Sequence, residues 1–260
     1  MNHSLESKKE IAANERLAAV TWPALSTTRL GGWELRTAAG YSMRANSVLP
    51  AGQPGCSLTE AILHCEEHYE RLGLAPTVFK LTEASEPPEL DDALNERGYR
   101  RAEEVMVMRS MLPLQAPPET REGDRAVEFL PMEPWLAEFL RLNPGRKRHE
   151  KTMAQLLSRK EEMRLFACLM GDEAVVAMGM AVLAENAAGI YNIVTAPAHR
   201  RKGYAEQLMR GLLEEARMRG AESAFLQVLA ENEGAVSLYA KLGFHEAYRQ
   251  WYRVQEGHDG

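Results

Sequence analysis

The strongest local signal in the chain is Ile193-Val194-Thr195-Ala196-Pro197-Ala198-His199-Arg200-Arg201-Lys202-Gly203-Tyr204-Ala205. It predicts a strand, a short basic loop and the start of a helix in immediate succession. A helix N-terminus presents unpaired N–H groups and the positive end of the helix dipole. Gly203 lacks a Cβ, so a ligand can approach the backbone closely. The loop therefore predicts an anion site suited to a pyrophosphate, and the alternative is a basic helix cap that faces solvent.

A second segment further along the chain is Asn232-Glu233-Gly234-Ala235-Val236-Ser237-Leu238-Tyr239-Ala240-Lys241-Leu242-Gly243-Phe244. Asn232 is a favourable helix N-cap. Tyr239 follows two helical turns later on the same face, so one face can carry both an amide and a phenol. By itself this segment is more typical of a capped amphipathic helix with a buried tyrosine.

Together the two segments resemble the GNAT superfamily of acyl-CoA N-acyltransferases. The superfamily signature Arg/Gln-x-x-Gly-x-Gly/Ala corresponds to Arg200-x-x-Gly203-x-Ala205. A frequent later pattern, Asn-x-x-Ala-x-x-Leu-Tyr-x-x-Leu-Gly-Phe, is matched by Asn232, Ala235, Leu238, Tyr239, Leu242, Gly243 and Phe244. The resemblance covers residues 126–254, and the N-terminal half resembles the degenerate first lobe of tandem members.

The resemblance implies an acetyl-CoA site and no metal. Backbone groups of Ile193, Val194 and Thr195 would hold the acyl carbonyl and the pantetheine arm. The pyrophosphate would lie on the backbone of the signature loop, whose residues are Arg200, Arg201, Lys202, Gly203, Tyr204 and Ala205. Asn232 would contact the pantetheine or adenosine part. Tyr239 would protonate the departing thiolate, since a phenol of pKa near 10 can donate to a thiolate beside it.

The general base is not evident from the sequence. The strand before the loop reads Tyr191-Asn192-Ile193 and has no carboxylate, and Asn192 can orient a water but cannot be a base. Glu185 and Glu231 remain open alternatives. The basic loop 143–149 either holds a carboxylate of the acceptor or is simply solvated.

Two lobes are predicted from the pattern of elements. A proline-rich, polar linker over 113–125 separates residues 1–112 from residues 126–260. Residues 93–108 match residues 238–253 in helix–strand order, with Gly98 on Gly243, which suggests a tandem duplication. The predicted fold class is α/β (α+β), with two tandem GNAT-like lobes, each a mixed, mostly antiparallel sheet flanked by helices.

The first lobe is expected to lack a cofactor site. Alignment of the two lobes places Gln53, Cys56 and Leu58 where Arg200, Gly203 and Ala205 stand, so no glycine occupies the phosphate-facing position. Leu94 takes the place of Tyr239. Two other features of this lobe, Trp33 and residues 44–47, could line an acceptor pocket or merely pack.

Composition excludes several classes of function. A formal net charge of −6 argues against a general nucleic-acid binder. No apolar run is long enough to span a membrane, the N-terminus does not resemble a signal peptide, and three cysteines show no disulfide framework. His64-x-x-Glu67-His68 fits an inverted zinc-peptidase pattern, but no third ligand is marked. We therefore expect a cytoplasmic protein, monomeric or weakly dimeric.

The functional prediction is an N-acetyltransferase that moves an acetyl group from acetyl-CoA to a primary amine of a small molecule or amino acid by direct attack. Two alternatives remain open. One is a non-catalytic acyl-CoA sensor, which would have no need of an acid at Tyr239. The other is a protein or peptide N-acetyltransferase, which would need an open groove for an extended chain.

Overall fold

The computed structural model describes residues 7–113, 125–172 and 174–255. These residues form two compact units. The first comprises the described residues up to Met106, residues 229–231 and those from Ala247 onward, and the second comprises Val107–Val228 and Asn232–Glu246. The predicted linker 113–125 lies almost wholly outside the described residues, and the predicted boundaries 1–112 and 126–260 stay a prediction.

The first unit is a mixed sheet with three helices. Its helices are α1 (Lys8–Thr21), α2 (Leu58–Arg71) and α3 (Leu90–Glu96), and its strands are β1 (Ser26–Leu30), β2 (Trp33–Thr37), β3 (Val48–Pro50), β4 (Val78–Thr82), the first part of β5 (Tyr99–Met111) and most of β11 (His245–Gln255). The strand order is β1-β2-β3-β4-β11-β5. Only β3 and β4 pair in parallel among the pairs with a defined register.

The second unit is also a mixed, mostly antiparallel sheet flanked by helices. Its elements are β6 (Val127–Phe129), α4 (Met132–Leu142), α5 (Glu150–Leu157), β7 (Met163–Met170), β8 (Val175–Ala184), β9 (Ala187–Thr195), α6 (Tyr204–Met218), β10 (Ser223–Leu229) and α7 (Glu233–Lys241). The order is β10-β9-β8-β7-β6, with β10 parallel to β9 and the other pairs antiparallel. The predicted fold class is confirmed.

The last strand differs from the sequence-based expectation. The pattern predicts that residues 244–254 complete the C-terminal lobe, yet from Ala247 onward they belong to the first unit. There β11 pairs antiparallel with β4, with Trp251 opposite Leu81. Arg253 is buried and donates to the Asp91 carboxylate at 2.7 Å. Local periodicity predicts that a segment is a strand, but it carries no information about which strand becomes the partner.

Helix α1 and the first three strands are absent from the sequence-based prediction. Helix α1 buries only a narrow stripe that includes Ile11 and Ala18, so its apolar periodicity is weak. One signal could have found it: Ser7 and Glu10 form a reciprocal capping box at its N-terminus. The other predicted elements lie within a few residues of the observed ones.

Candidate functional site

Strands β9 and β10 separate at the carboxyl end of β9. Their parallel register runs from Ser223 opposite Ala187 to Leu226 opposite Ile190 and ends there. The following residues of β9, from Asn192 to Thr195, are partly exposed. This part of the strand therefore offers backbone groups to a ligand that lies alongside it.

A β-bulge turns this end of β9. Against β8 the register shifts between Met178 and Met180, so that Asn192 and Ile193 together face Gly179. Asn192 takes the left-handed conformation, with φ of 56°. A Cβ on Gly179 would overlap the Ile193 Cδ1 atom, so any larger residue opposite the bulge requires the Ile193 side chain to move. Bulges re-aim the residues that follow them, and a glycine inside the apolar β8 was the available sequence signal.

The basic loop leads into an uncapped helix. Pro197–His199 forms a short 3-10 helix, and Gly203, with φ of 84°, is the N-cap of α6. No side chain caps α6, and a Cβ on Gly203 would meet nothing within 4 Å among the described residues. The first amides of α6 therefore keep their donors for an external acceptor. Arg200, Arg201 and Lys202 are all exposed beside them.

Helix α7 carries the two other predicted site residues. The Asn232 Oδ1 atom accepts from the Ala235 amide at 3.2 Å, which is a regular N-cap. Tyr239 is only 9 % exposed, and burial raises the pKa of its phenol to about 12. Within the described part of the chain, no group hydrogen-bonds to its hydroxyl. The phenol thus retains its proton and has a free donor.

The loop, β9 and α7 enclose one groove of about 810 Å³. Its lining includes most of the predicted site residues, namely Ile193, Val194, Thr195, Arg200, Arg201, Gly203, Tyr204, Ala205, Asn232 and Tyr239. Lys202 is not among the lining residues. The volume is within the range of about 300–1,000 Å³ that is typical of small-molecule sites. Its position on an uncapped helix N-terminus suits an anionic ligand.

Glu206 also lines the groove, although the sequence alone assigned it no site role. The Lys241 Nζ atom lies 2.7 Å from its Oε2 atom, and Arg210 pairs with the Oε1 atom. Burial would raise the pKa of Glu206, but the hydrogen bond from Lys241 and the charge of Arg210 outweigh it and hold the pKa below its usual value. The ion pair between Glu206 and Arg210 was predictable from their i, i+4 spacing. The ion pair between Glu206 and Lys241 was not, because it joins α6 to α7.

In the first unit, the segment 53–58 aligns with the basic loop, and the space beside it is occupied by the protein itself. The β1–β2 turn lies against it: the Gly32 amide donates to the Gln53 carbonyl at 2.7 Å, and a Cβ on Gly31 would overlap the Pro54 carbonyl oxygen. At the N-terminus of α2, the Glu60 carboxylate accepts from the Ser57 amide at 3.1 Å. A carboxylate from the helix itself thus satisfies the N-cap amide and places a negative charge at the N-terminus of α2, which disfavours an anionic ligand there.

The remaining candidates have structural roles or stand apart from the groove. Trp33 is fully buried and donates to the Glu86 carbonyl at 2.7 Å, and Leu94 packs in the same core. Asn46 closes its own loop through hydrogen bonds to the backbone. Glu185 lies in the turn before β9, at the end opposite the groove, which argues against a role as base.

Two further sequence patterns show no sign of a site. His64 is exposed and the ring of His68 lies perpendicular to that of Tyr69, and no group of three or more potential metal ligands occurs among the described residues. The basic loop forms a 3-10 helix, Pro144–His149, in which Lys147 pairs with Glu150 at 2.8 Å. No helix of the described ranges is both long and apolar enough to cross a membrane.

Comparison with protein families and curated proteins gives a consistent result. A family model described as "Probable histone acetyltransferase Rv0428c C-terminal" matches residues 8–253. The Bacillus subtilis protein described as "Uncharacterized N-acetyltransferase YobR" is 35 % identical over 254 residues, which cover 95 % of this chain and 99 % of that protein. The Escherichia coli [ribosomal protein bS18]-alanine N-acetyltransferase is 35 % identical over 91 residues, or 34 % of this chain and 60 % of its own.

Solved structures share the fold. A GCN5-related N-acetyltransferase from Kribbella flavida superposes with a TM-score of 0.73 over 98 % of this chain and 97 % of its own, at 14 % identity. A tandem GNAT protein from the clavulanic acid biosynthesis pathway superposes with a TM-score of 0.62 over 94 % and 88 %, at 12 % identity. At these identities the likeness concerns the fold alone.

Proposed function

The chain belongs to the GNAT superfamily of N-acetyltransferases, and from this premise we propose that it transfers the acetyl group of acetyl-CoA to a primary amine of a small molecule or amino acid. One observation carries the proposal. A single groove joins an uncapped helix N-terminus to a buried tyrosine whose hydroxyl has no partner among the described residues. The first can bind a pyrophosphate, and the second can donate a proton.

Different residues of the groove would contact different parts of acetyl-CoA. The amides at the start of α6 and the cations Arg200 and Arg201 would hold the pyrophosphate, and Asn232 would contact the pantetheine or adenosine part. The bulged end of β9, from Ile193 to Thr195, would pair with the pantetheine arm. The acceptor amine would attack the thioester carbonyl, the C–S bond would break, and the sulfur would take its proton from Tyr239. The proton that the nitrogen loses would pass to water, and the Tyr239 phenolate would recover a proton from water, so that the products are the N-acetyl amine and the free thiol of CoA.

Acetyl-CoA titration tests the cofactor site. We expect one site per chain, in the second unit, because a carboxylate occupies the N-terminus of α2 and none caps α6. Calorimetric titration of the full chain measures the stoichiometry. Two sites of similar affinity would contradict the interpretation of the first unit as degenerate.

A protein amine is the second candidate acceptor. It is favoured by the description of the family model, which names a histone acetyltransferase, and by the partial match to alanine N-acetyltransferases of ribosomal protein bS18. Thiol release in the presence of acetyl-CoA discriminates the two classes. A panel of free amino acids and small amines is compared with peptides that offer an N-terminal alanine or a lysine. Turnover of peptides alone would overturn the small-molecule proposal and leave the acetyltransferase assignment intact.

A further inference from the structure

Three helices of the chain carry a glutamate at the same position of their first turn. Glu10 is the third residue of α1, Glu60 is the third residue of α2, and Glu206 is the third residue of α6. At this position a glutamate commonly reaches back to the N-cap and satisfies its backbone donor. In α2 it does so, since the Glu60 Oε2 atom accepts from both the amide and the hydroxyl of Ser57, at 3.1 and 2.7 Å.

In α6 the glutamate points elsewhere. The Glu206 Oε2 atom lies 2.7 Å from the Lys241 Nζ atom, and the Oε1 atom pairs with Arg210. The carboxylate is 9 % exposed and Arg210 is largely buried, whereas the Lys241 side chain is about half exposed. No side chain caps the N-terminus of α6, whose N-cap is Gly203. The glutamate therefore takes part in a capping box in α1 and α2, whereas in α6 it leaves the helix N-terminus open.

The attraction of a carboxylate for a helix N-terminus makes this difference consequential. Unpaired amides and the helix dipole favour a negative charge there. A Glu206 side chain released from its two cations would compete for the donors that a pyrophosphate needs. Its lowered pKa, set by Lys241 and Arg210 against the effect of burial, means that it would do so as an anion.

We propose that Lys241 and Arg210 are positioning residues, which hold the Glu206 carboxylate away from the N-terminus of α6 and so keep its amides available to the pyrophosphate of acetyl-CoA. The inference rests on the proposed function, since it assumes that acetyl-CoA is the ligand. In this proposal Lys241 affects the binding of acetyl-CoA only indirectly, by fixing the position of the Glu206 carboxylate. A direct contact between Lys241 and a phosphate of the ligand is the competing explanation.

Lys241→Met tests the proposal, because the side chain is about half exposed and methionine has nearly the same helix propensity as lysine. We expect the Kd of acetyl-CoA to rise about fivefold, the effect of one charge at a helix N-terminus. Calorimetry measures Kd in the full chain. In steady-state assays the KM for acetyl-CoA should rise by a similar factor, while kcat falls much less.

The double variant Lys241→Met, Glu206→Ala separates the two explanations. If the freed carboxylate is the competitor, its removal restores most of the lost affinity. If Lys241 contacts a phosphate itself, the double variant binds as weakly as Lys241→Met, and the proposal is overturned. An unchanged Kd in Lys241→Met would overturn it equally.

A matched control lies at the other end of the same helix. Glu215 and Arg219 form an i, i+4 ion pair at 2.8 Å, far from the N-terminus of α6. Arg219→Met releases a carboxylate of the same kind there, and the Kd of acetyl-CoA should stay at the wild-type value. Failure of the wild-type protein to bind acetyl-CoA would overturn the proposed function itself, whereas binding without recovery in the double variant overturns this inference alone.

Discussion

Tyr239 is the residue that the proposed function places closest to the departing sulfur. It is 9 % exposed and lines the groove, and its hydroxyl has no hydrogen-bond partner among the described residues. Burial alone raises its pKa, because removal of water penalises the phenolate. The phenol therefore stays protonated at neutral pH. Because a thiol has a lower pKa than this phenol, donation to the departing thiolate would depend on the positioning of the two groups beside each other.

Tyr239→Phe keeps the ring and removes the proton. Acid catalysis typically contributes roughly 10²–10⁴-fold, so we expect kcat to fall at least about tenfold. The Kd of acetyl-CoA should change little, since the ring still packs against Phe244. Steady-state kinetics and calorimetry measure the two quantities separately. A fully active Phe variant would indicate that solvent protonates the thiolate.

The pH profile gives an independent test of the same phenol. A pKa of about 12 means that Tyr239 stays protonated throughout the range in which most enzymes are assayed. Loss of its proton would lower kcat only as the pH approaches that value. A tyrosine of ordinary pKa, near 10, would begin to lose its proton between roughly pH 8 and pH 10. We therefore expect that deprotonation of Tyr239 causes no fall in kcat over this range. Such a fall, if absent in the Phe variant, would contradict the raised pKa of the Tyr239 phenol.

At the scale of elements, α6 offers two glycines in similar conformations at its two ends. Gly203, with φ of 84°, precedes the helix, and Gly220, with φ of 100°, follows it. A Cβ at either position would meet none of the described atoms within 4 Å, so an alanine adds backbone strain at both and a steric clash at neither. The two positions differ in one respect: only Gly203 lines the groove.

Gly203→Ala and Gly220→Ala should therefore separate binding from stability. We expect each to destabilise the fold by roughly 1–2 kcal/mol, the cost of a left-handed alanine. Only Gly203→Ala should weaken acetyl-CoA binding, because its methyl group occupies the space in which a phosphate approaches the backbone. Thermal melts and calorimetric titration are the measurements. Equal affinities in the two variants would argue against a phosphate at Gly203.

The bulge of β9 makes a second prediction at this scale. Gly179→Ala would place a methyl group on top of the Ile193 Cδ1 atom and 3.4 Å from Leu208. Overpacking of this kind costs roughly 1–3 kcal/mol, and relief requires Ile193 to move. Because Ile193 begins the exposed end of β9, we expect kcat/KM for acetyl-CoA to fall as well. A variant that is less stable yet fully active would show that the bulge tolerates the shift.

At the scale of the whole molecule, the chain returns to its first unit at its end. Arg253 on β11 donates to Asp91, to Asn95 and to the Tyr99 carbonyl at 2.7, 3.0 and 3.0 Å. Burial opposes ionisation of Asp91, but hydrogen bonds from Arg253 and Trp251 outweigh it and lower its pKa. The ionised Asp91 stabilises this unit at pH values above the pKa that Asp91 has in the unfolded chain. The contribution is lost as the pH falls through the lower pKa that Asp91 has in the folded protein.

Two arginines of β11 allow a matched test of that arrangement. Arg253→Met removes a buried cation with three partners and should lower the free energy of unfolding by roughly 3 kcal/mol. Arg249→Met removes an arginine that is about half exposed and pairs with Glu104 at the surface, so the loss should stay below about 1 kcal/mol. Denaturant titration measures both. Equal losses would contradict the role of β11 as an internal strand of the first unit.

The sequence by itself determined most of the elements from α2 onward and the family to which the chain belongs, whereas α1 and the first three strands escaped the prediction. Strand and helix periods, the glycine before α6 and the Arg200-x-x-Gly203-x-Ala205 signature all depend on residues close together in the chain. The replacement of Gly203 by Cys56 in the aligned segment of the first lobe is equally local. These features could be predicted because backbone conformation and helix capping are decided within one turn of the residues concerned.

Only the tertiary structure decided three other features. The pair between Glu206 and Lys241 joins two helices, the bulge at Asn192 depends on the space left by Gly179, and β11 takes β4 as its partner. Each is a contact between residues far apart in sequence. Such contacts form because the packed core leaves room for one arrangement, and no local propensity encodes that choice.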